Sequence, residues 1–143
     1  MPYDFPMRAS RDKAYMVADQ RFAAGRPDVL CFTTEPLAGD VTFAGGIRAV
    51  LQAAISTTDA DFVVKLIDVW PDNTEYPGYQ MLVRGDIMRG RYRRSFSAPE
   101  PFTPGEPTEV AFTMPDIAHT FRKGHRIMVQ VQSSWFPLAD RNP

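Results

Sequence analysis

The hydrophobic residues of this chain recur with a period of two in several short stretches. The clearest stretch runs from Arg126 to Gln132, where Ile127, Val129 and Val131 fall on one face of a predicted strand and the residues between them on the other. The stretch from Phe62 to Trp70 is apolar at most positions, which is typical of a central strand that is buried on both faces. This pattern predicts a protein built mainly from strands.

Turn signals divide the rest of the chain into further short strands. Proline and glycine, which interrupt strand ladders and permit tight turns, number 13 and 9. The longest alternating run, 47–57, could also form a helix because Ala and Leu are good helix formers, but the Gly45-Gly46 pair before it favours a strand. About eight or nine short strands without a long helix predict an all-β fold, a jelly-roll β-sandwich. The predicted strands besides the two above are 29–33, 41–43, 47–57, 79–84, 87–96 and 109–114.

The length of the chain, 143 residues, is that of one domain. Residues 1–27 carry Pro2 and Pro27 and few apolar residues, which predicts an irregular segment that wraps around the sheet and is pinned by Phe22. Residues 28–143 are then expected to form the sandwich itself.

The charge balance limits the classes of partner. Sixteen basic and 17 acidic residues give a formal net charge of −1, which supplies no electrostatic basis for binding nucleic acid or an anionic membrane. No apolar run approaches the ~20 residues that cross a bilayer, and Met1–Arg8 has no hydrophobic signal core. The one cysteine, Cys31, has no second cysteine with which to form an intrachain disulfide.

The sequence contains no recognisable nucleophile for hydrolysis. A serine hydrolase of the α/β class places its nucleophile on a Gly-x-Ser-x-Gly elbow near a histidine base and a carboxylate, and no such elbow is present. His119, expected in a short turn, and His125 are candidates for the base only because they are the two histidines of the chain. A structural role is the better interpretation, so we expect no catalytic residue and no cofactor.

Charged residues offer only weak evidence for a metal or nucleic-acid site. Asp59 and Asp61 could supply oxygen ligands to Ca²⁺, although short acidic turns more often cap their own backbone. One cysteine and two separated histidines do not make a zinc site. Arg89, Arg91 and Arg93 alternate on one predicted strand, which favours a solvated edge or interdomain salt bridges over nucleic-acid binding.

The segment after the last predicted strand combines two aromatic residues with a charged pair. Trp135 and Phe136 follow Ser133-Ser134, and Asp140 and Arg141 come shortly after them. This arrangement predicts a docking or pocket-lining segment at one end of the sheet. The exposed aromatic residues could instead form a sugar-stacking platform, as in a free-standing carbohydrate-binding module, but interface anchors are favoured. The set considered for the platform is Trp70, Tyr76, Tyr79, Trp135 and Phe136.

The string FRKGHRIMVQVQSSWFPLADRNP, residues 121–143, resembles the C-terminal β-sandwich domain of a serine hydrolase family. The family includes cocaine esterase, X-prolyl dipeptidyl peptidase, the α-amino acid ester hydrolases and the related glutaryl-7-aminocephalosporanic acid acylases. The resemblance extends from Tyr15 to Pro143, with the pieces in family order. The further matching strings are 19–22, 26–30, 34–37, 58–70, 78–83 and 89–96.

The resemblance implies a non-catalytic role. In the family the Ser-His-Asp triad belongs to an α/β-hydrolase domain that precedes this one, and the sandwich, a galactose-binding-like jelly roll, packs against it and helps to wall the acyl pocket. The implied substrates of the parent enzyme are α-amino acid esters, β-lactam amides or N-terminal dipeptides, and the implied location is periplasmic or secreted. We expect no nucleic-acid or membrane partner.

The resemblance also implies an open sheet edge. The family sandwich continues past its Asp-Arg-Asn-Pro motif, residues 140–143 here, into a closing strand that this chain is expected to lack. An unpaired edge would then be available for pairing with a second copy of the chain.

Overall fold

A computed structural model describes residues 17–136 and 138–139. Six strands make up nearly half of this part of the chain, and the other regular elements there are one short helix and a 3-10 turn at Gly90–Tyr92. The predicted all-β fold is therefore confirmed. The elements are α1 Arg21–Ala24, β1 Val29–Thr33, β2 Val41–Ala53, β3 Asp61–Val69, β4 Gln80–Arg89, β5 Thr108–Phe121 and β6 Arg126–Gln132.

The strands form two antiparallel sheets that pack face to face as a β-sandwich. One sheet has four strands in the order β1-β6-β3-β4, and the other pairs β2 with β5. Alternate side chains of each sheet point into the space between them, where burial of apolar surface contributes most of the stabilisation. The buried cluster between the sheets consists of Ala49, Phe62, Val64, Met88, Phe102, Val110, Phe112 and Met114.

The central strand β3 is buried on both faces, as its sequence predicts. Phe62 and Val64 point to the inner face of the four-stranded sheet, towards β2 and β5. Val63 and Ile67, both 0% exposed, point to the opposite, outer face. In the described part of the chain, α1 and Trp135 pack on that outer face, so the sheet is a middle layer. A strand covered in this way can hold charged residues only if their partners are also inside.

The described strands are fewer than the sequence predicted because some predicted strands are parts of one longer strand. The predicted strands 41–43 and 47–57 are parts of one strand, β2, which has a bulge between Gly45 and Ile47. Gly45 has φ 119°, which an L side chain rarely adopts, so the glycine permits the bulge. Likewise β5 continues through Pro115 to Phe121, so His119 lies in a strand and not in the expected short turn.

The predicted separation of strands 79–84 and 87–96 at Gly85-Asp86 is wrong. The strand β4 runs straight through these residues and has its irregularity opposite Leu66 and Ile67. Gly85 is needed for a different reason, because a Cβ there would lie 2.4 Å from Cη2 of Trp135. The glycine marks a close side-chain approach and not a turn.

The predicted arginine stripe is also wrong. Arg89 is the last residue of β4, and the chain then turns through the 3-10 segment that contains Arg91. The side chain of Arg93 is 3% exposed and lies over the ring of Phe102 at 4.1 Å from its centroid. It also donates to the backbone oxygen of Glu100 at 2.6 Å. Arg93 therefore holds the proline-rich loop against the sandwich.

The edge of the four-stranded sheet is not covered on its inner face. Leu30 and Phe32 of β1 pair in register with Val131 and Val129 of β6 and share their face. They are nevertheless 60% and 61% exposed, since the second sheet has only two strands. The apolar row of β6 is half-buried for the same reason, whereas Met128, Gln130 and Gln132 on its outer face are buried.

Candidate functional site

Trp135, the first predicted docking residue, is folded back onto its own domain. The chain leaves β6 at Gln132, whose side-chain amide donates to the backbone oxygen of Ser134 at 2.7 Å. The six-membered ring of Trp135 then lies against Gly85 of β4, and the residue is 5% exposed. Its backbone oxygen accepts from the amide of Leu138 at 2.8 Å, which closes a turn. Gly85 thus provides the space in which the indole is seated.

The second aromatic residue of the pair points outwards. Phe136 is 51% exposed although it follows a nearly buried tryptophan. The structure therefore separates the predicted pair into an inward anchor and an outward side chain. The other two predicted docking residues, Asp140 and Arg141, lie outside the described residues.

Beneath Trp135 lies a lysine that the pattern analysis did not single out. Lys65 of β3 is 1% exposed, and its Nζ donates to Oε1 of Gln20 at 2.9 Å. The ammonium lies 5.2 Å from the ring centroid of Trp135 and 5.6 Å from that of Phe22. We call Lys65, Gln20, Phe22, Gly85 and Trp135 the Lys65 site. It joins the segment before the sandwich to the segment after β6.

Burial changes the electrostatics of this lysine. Removal of the ammonium from water, together with the positive charge of Arg26, lowers the pKa of Lys65 from 10.5 to about 8. Gln130 and Gln80 face the same side of the sheet, and their side-chain amides hydrogen-bond at 3.3 Å. Amide dipoles and ring faces compensate only part of the lost hydration.

A second buried charge gathers both histidines. Asp68 of β3 is 2% exposed. Its Oδ2 lies 3.0 Å from Nε2 of His119, and its Oδ1 lies 2.7 Å from Nδ1 of His125. The ring of His119 also packs edge-on against Phe121 at 4.7 Å between centroids. The carboxylate therefore connects β3 with β5 of the other sheet and with the turn before β6.

The Asp68 cluster contains two of the three groups of a hydrolytic triad. In such a triad the histidine contacts the carboxylate with one ring nitrogen and a serine hydroxyl with the other. Among the described residues, the hydrogen bonds of His119 and His125 go to Asp68, and none joins either ring to a serine. The chemistry that this arrangement supports is structural crosslinking of the two sheets.

The two aspartates considered for calcium are engaged by arginines. Oδ1 of Asp61 lies 3.3 Å from Nε of Arg89, and Oδ2 of Asp59 lies 2.6 Å from Nε of Arg91. Burial raises the pKa of Asp61 despite the nearby guanidinium. Within the described ranges, no group of three or more His, Cys, Asp or Glu residues is arranged to hold a metal ion.

The structure brings together three of the five aromatic residues considered for a sugar platform. Trp70 packs edge-to-face against Tyr76 and Tyr79, with ring centroids 6.1 and 5.6 Å apart. Trp70 also contacts the ring of His125 at 5.9 Å. These rings present edges to each other and form a small aromatic cluster beside Asp68. Trp135 belongs to the Lys65 site instead.

The sequence contains a signal for both buried charges that was not used in the predictions. Lys65 and Asp68 lie within a strand that was predicted to be buried on both faces. A charged residue in such a strand requires buried partners, which should have directed attention to the histidines and glutamines. The partners themselves lie 45 to 57 positions away in the sequence, so they could not be named without the fold.

No helix in the described residues has the length and apolar character needed to cross a membrane. The two antiparallel sheets, with the Asp68 cluster that joins them, are the features of a β-sandwich domain. The sequence matches the family model of the X-Pro dipeptidyl-peptidase C-terminal non-catalytic domain over residues 8–143. The chain belongs to this family.

Relatives of the chain are hydrolases. It is 44% identical over 125 residues to cocaine esterase of Rhodococcus sp. (strain MB1 Bresler), a match that spans 87% of this chain and 21% of the esterase. Among solved structures it is similar to an aminopeptidase of the marine sediment archaeon Thaumarchaeota archaeon, with 52% identity and a TM-score of 0.86 over 90% of this chain and 22% of the other. An α-amino acid ester hydrolase matches with 53% identity and a TM-score of 0.86 over the same shares. The chain thus spans about a fifth of the length of these relatives.

Proposed function

We propose that this chain is the accessory domain of a serine hydrolase and packs on an α/β-hydrolase catalytic domain, where it helps to wall the acyl pocket. Three relatives with more than 40% identity are an esterase, an aminopeptidase and an α-amino acid ester hydrolase. The chain corresponds to about a fifth of each, which leaves most of the parent enzyme to carry the reaction.

The observation that carries the proposal is the placement of Phe136. A phenylalanine that is 51% exposed, next to a tryptophan that is anchored at Gly85, is held in position to enter an apolar pocket of a partner. Phe22, which is 44% exposed and contacts the same lysine, adds apolar surface on this side of the domain. We call Phe22 and Phe136 the docking patch. Asp140 and Arg141 are proposed to extend it.

The proposed parent reaction is acyl transfer. A serine of the catalytic domain attacks the substrate carbonyl, the leaving group departs from the acyl-enzyme, and water or an amine then takes up the acyl group. The proposed substrates are α-amino acid esters, β-lactam amides or N-terminal dipeptides. This chain supplies no catalytic group and contributes by keeping the pocket assembled.

The test is complementation of the separately expressed catalytic domain. We expect no hydrolysis of a chromogenic amino acid ester by this chain alone, and recovered or stabilised activity when the two are mixed. Phe136→Ala should raise the concentration of this chain that gives half-maximal recovery at least tenfold. The reason is that a buried aromatic anchor at an interface contributes about 2 kcal/mol or more. Phe96→Ala is the matched control, since Phe96 is 83% exposed and lies in another loop.

Two results would contradict the proposal. Turnover by this chain alone would give it a catalytic role of its own. Equal complementation by the Phe136→Ala and Phe96→Ala variants would remove Phe136 from the interface.

We further propose that the free edge of β2 pairs with a second copy of the chain. Within the described residues, β2 pairs only with β5, so its other edge is open beside the exposed Leu30 and Phe32. An added strand would complete the backbone hydrogen bonds of β2 and cover both side chains.

A further inference from the structure

A small cleft lies where the two sheets meet along one side of the sandwich. Its lining residues come from the end of β4, from the 3-10 turn and the loop that follows it, and from β5. Met88 and Phe112, both members of the buried cluster between the sheets, form its floor. Arg94 and Phe96 of the loop stand at its rim, where Phe96 is 83% exposed. We call it the β4–β5 cleft.

The size of the β4–β5 cleft fits one side chain. It encloses about 200 Å³, whereas pockets for small-molecule ligands measure roughly 300–1,000 Å³. An apolar cavity of about 150 Å³ is large enough to hold benzene. The cleft therefore matches a single aromatic side chain better than it matches a metabolite or a cofactor.

The β4–β5 cleft follows the free edge of β5. It is lined by residues 111–113, of which Phe112 points inward and Ala111 and Thr113 point to the outer face. Within residues 17–136 and 138–139, β5 pairs only with β2, and no backbone hydrogen bond joins residues 111–113 to the loop. The backbone groups on this edge are therefore available to an extended chain, as in the addition of a strand to a sheet.

The wall that the loop forms is held in place by Arg93. Its side chain is 3% exposed, donates to the backbone oxygens of Gly90 and Glu100, and lies over the ring of Phe102. A wall that is already ordered loses little conformational entropy when a partner binds.

The charged residues of the β4–β5 cleft favour an acidic partner. Its charged lining residues are Arg93 and Arg94, and both pair with the carboxylate of Glu100, at 3.2 and 2.8 Å. Two guanidinium groups against one carboxylate leave an excess of one positive charge. The side chain of Arg94 is 69% exposed, so it is accessible to a second carboxylate. Glu109, on the outer face of β5, binds Gln52 and does not line the cleft.

We propose that the β4–β5 cleft binds an extended acidic segment of a partner protein. The segment inserts one aromatic side chain over Met88 and Phe112 and places its carboxylates beside Arg94. Phe96 at the rim contacts the inserted ring. The cleft shares no residue with the docking patch, so this binding is independent of the proposed function.

The experiment is an NMR titration of the full, isotope-labelled 143-residue chain with blocked pentapeptides. The probe has the sequence Asp-Glu-Phe-Glu-Asp. Asp-Glu-Ala-Glu-Asp lacks the aromatic anchor, and Lys-Lys-Phe-Lys-Lys reverses the charge. We expect saturable shifts with the probe at the amides of residues 92–96 and 111–113. The other two peptides should bind at least about tenfold more weakly, because each lacks one of the two features that the cleft recognises.

A charge reversal in the chain tests the role of Arg94. Arg94→Glu should exchange the preference, so that Lys-Lys-Phe-Lys-Lys binds more tightly than the probe. Arg122→Glu, at an exposed position after β5, is the matched control and should bind the probe as the wild type does.

The proposal is overturned by the absence of shifts at these amides with millimolar probe, by equal affinity for the three peptides, or by unchanged binding to Arg94→Glu. Shifts at the same amides when the chain alone is concentrated would assign the cleft to a second copy, and shifts on addition of the catalytic domain would assign it to that domain. Either result overturns the proposal as well. Complementation tests Phe136 of the docking patch, so the two proposals fail independently.

Discussion

At the scale of single residues, two buried charges on β3 distinguish this domain from a plain apolar sandwich. Lys65 points to the outer face and Asp68 to the inner face, and both are less than 3% exposed. Asp68 accepts from two imidazoles, whereas Lys65 has one amide oxygen and two ring faces. We therefore expect opposite effects on stability when each charge is removed, since Asp68 is well partnered and Lys65 is not.

Removal of the Asp68 carboxylate should destabilise the domain. Asp68→Ala leaves the facing ring nitrogens of His119 and His125 without their acceptor, and each orphaned buried group costs about 1–3 kcal/mol. We expect the free energy of unfolding, measured by urea titration, to fall by about 3 kcal/mol. Asp72→Ala, at an exposed loop position, is the control and should change it by less than about 0.5 kcal/mol. Similar losses in the two variants would contradict the crosslinking role.

The stability of the whole domain should also depend on the protonation of Lys65. The folded state lowers its pKa from 10.5 to about 8, so the unfolded chain binds more protons between these values and stability rises with pH there. From pH 7 to pH 9.5 this lysine should add about 2 kcal/mol to the free energy of unfolding. The measurement is the difference between the wild type and Lys65→Met in urea titrations at both pH values. A difference that is constant with pH would show that the folded state leaves the proton affinity of Lys65 unchanged.

At the scale of elements, the strands are held by pairing, whereas one long loop is held by a few backbone hydrogen bonds and by the side chain of Arg93. The segment between the 3-10 turn and β5 is rich in proline and has no strand partner of its own. Arg93 contacts the Phe102 ring and donates to the backbone oxygens of Gly90 and Glu100. A planar guanidinium with several donors suits this position better than an ammonium does.

Loss of Arg93 should therefore loosen the loop. Arg93→Ala removes these hydrogen bonds and the contact with Phe102, and we expect it to lower the free energy of unfolding by about 2–3 kcal/mol. It should also speed proteolysis between Ser95 and Gly105, read by mass spectrometry of the fragments. Arg94→Ala is the matched control. Arg94 pairs with Glu100, as Arg93 does, but its side chain is 69% exposed. Equal effects of the two variants would mean that only the ion pairs with Glu100 matter.

At the scale of the whole molecule, the two sheets differ in size. Within residues 17–136 and 138–139, four strands face two, so the inner face beyond β2 is open at Leu30 and Phe32. A long open edge next to exposed apolar side chains is a site at which strands associate. We therefore expect a second copy of the chain to bind at this surface.

Self-association through the β2 edge should be visible by sedimentation velocity. We expect the wild type to form a dimer as its concentration rises into the micromolar range, and Leu30→Lys with Phe32→Lys to remain monomeric because lysines would be buried on pairing. Phe96→Lys, at the most exposed aromatic residue, is the control and should dimerise as the wild type does. A wild type that stays monomeric at high concentration would reject the pairing.

The sequence by itself determined much of the architecture. Alternation located β6 at its observed bounds, and the apolar run 62–70 correctly predicted a strand buried on both faces. The family resemblance was confirmed by the match over residues 8–143. These features depend on local periodicity or on strings of adjacent residues, and both can be read directly from the sequence.

Only the tertiary structure decided what the buried charges and the aromatic pair do. Gly85 and Trp135 meet because β4 and the turn after β6 lie on the same face of one sheet, although 50 positions separate them. Asp68 meets His119 and His125 across 51 and 57 positions because β5 lies in the facing sheet and β6 pairs with β3. Contacts of this kind depend on strand order and register, which one-dimensional patterns do not specify. The sequence therefore determined the strands, and the packing of the two sheets determined the sites.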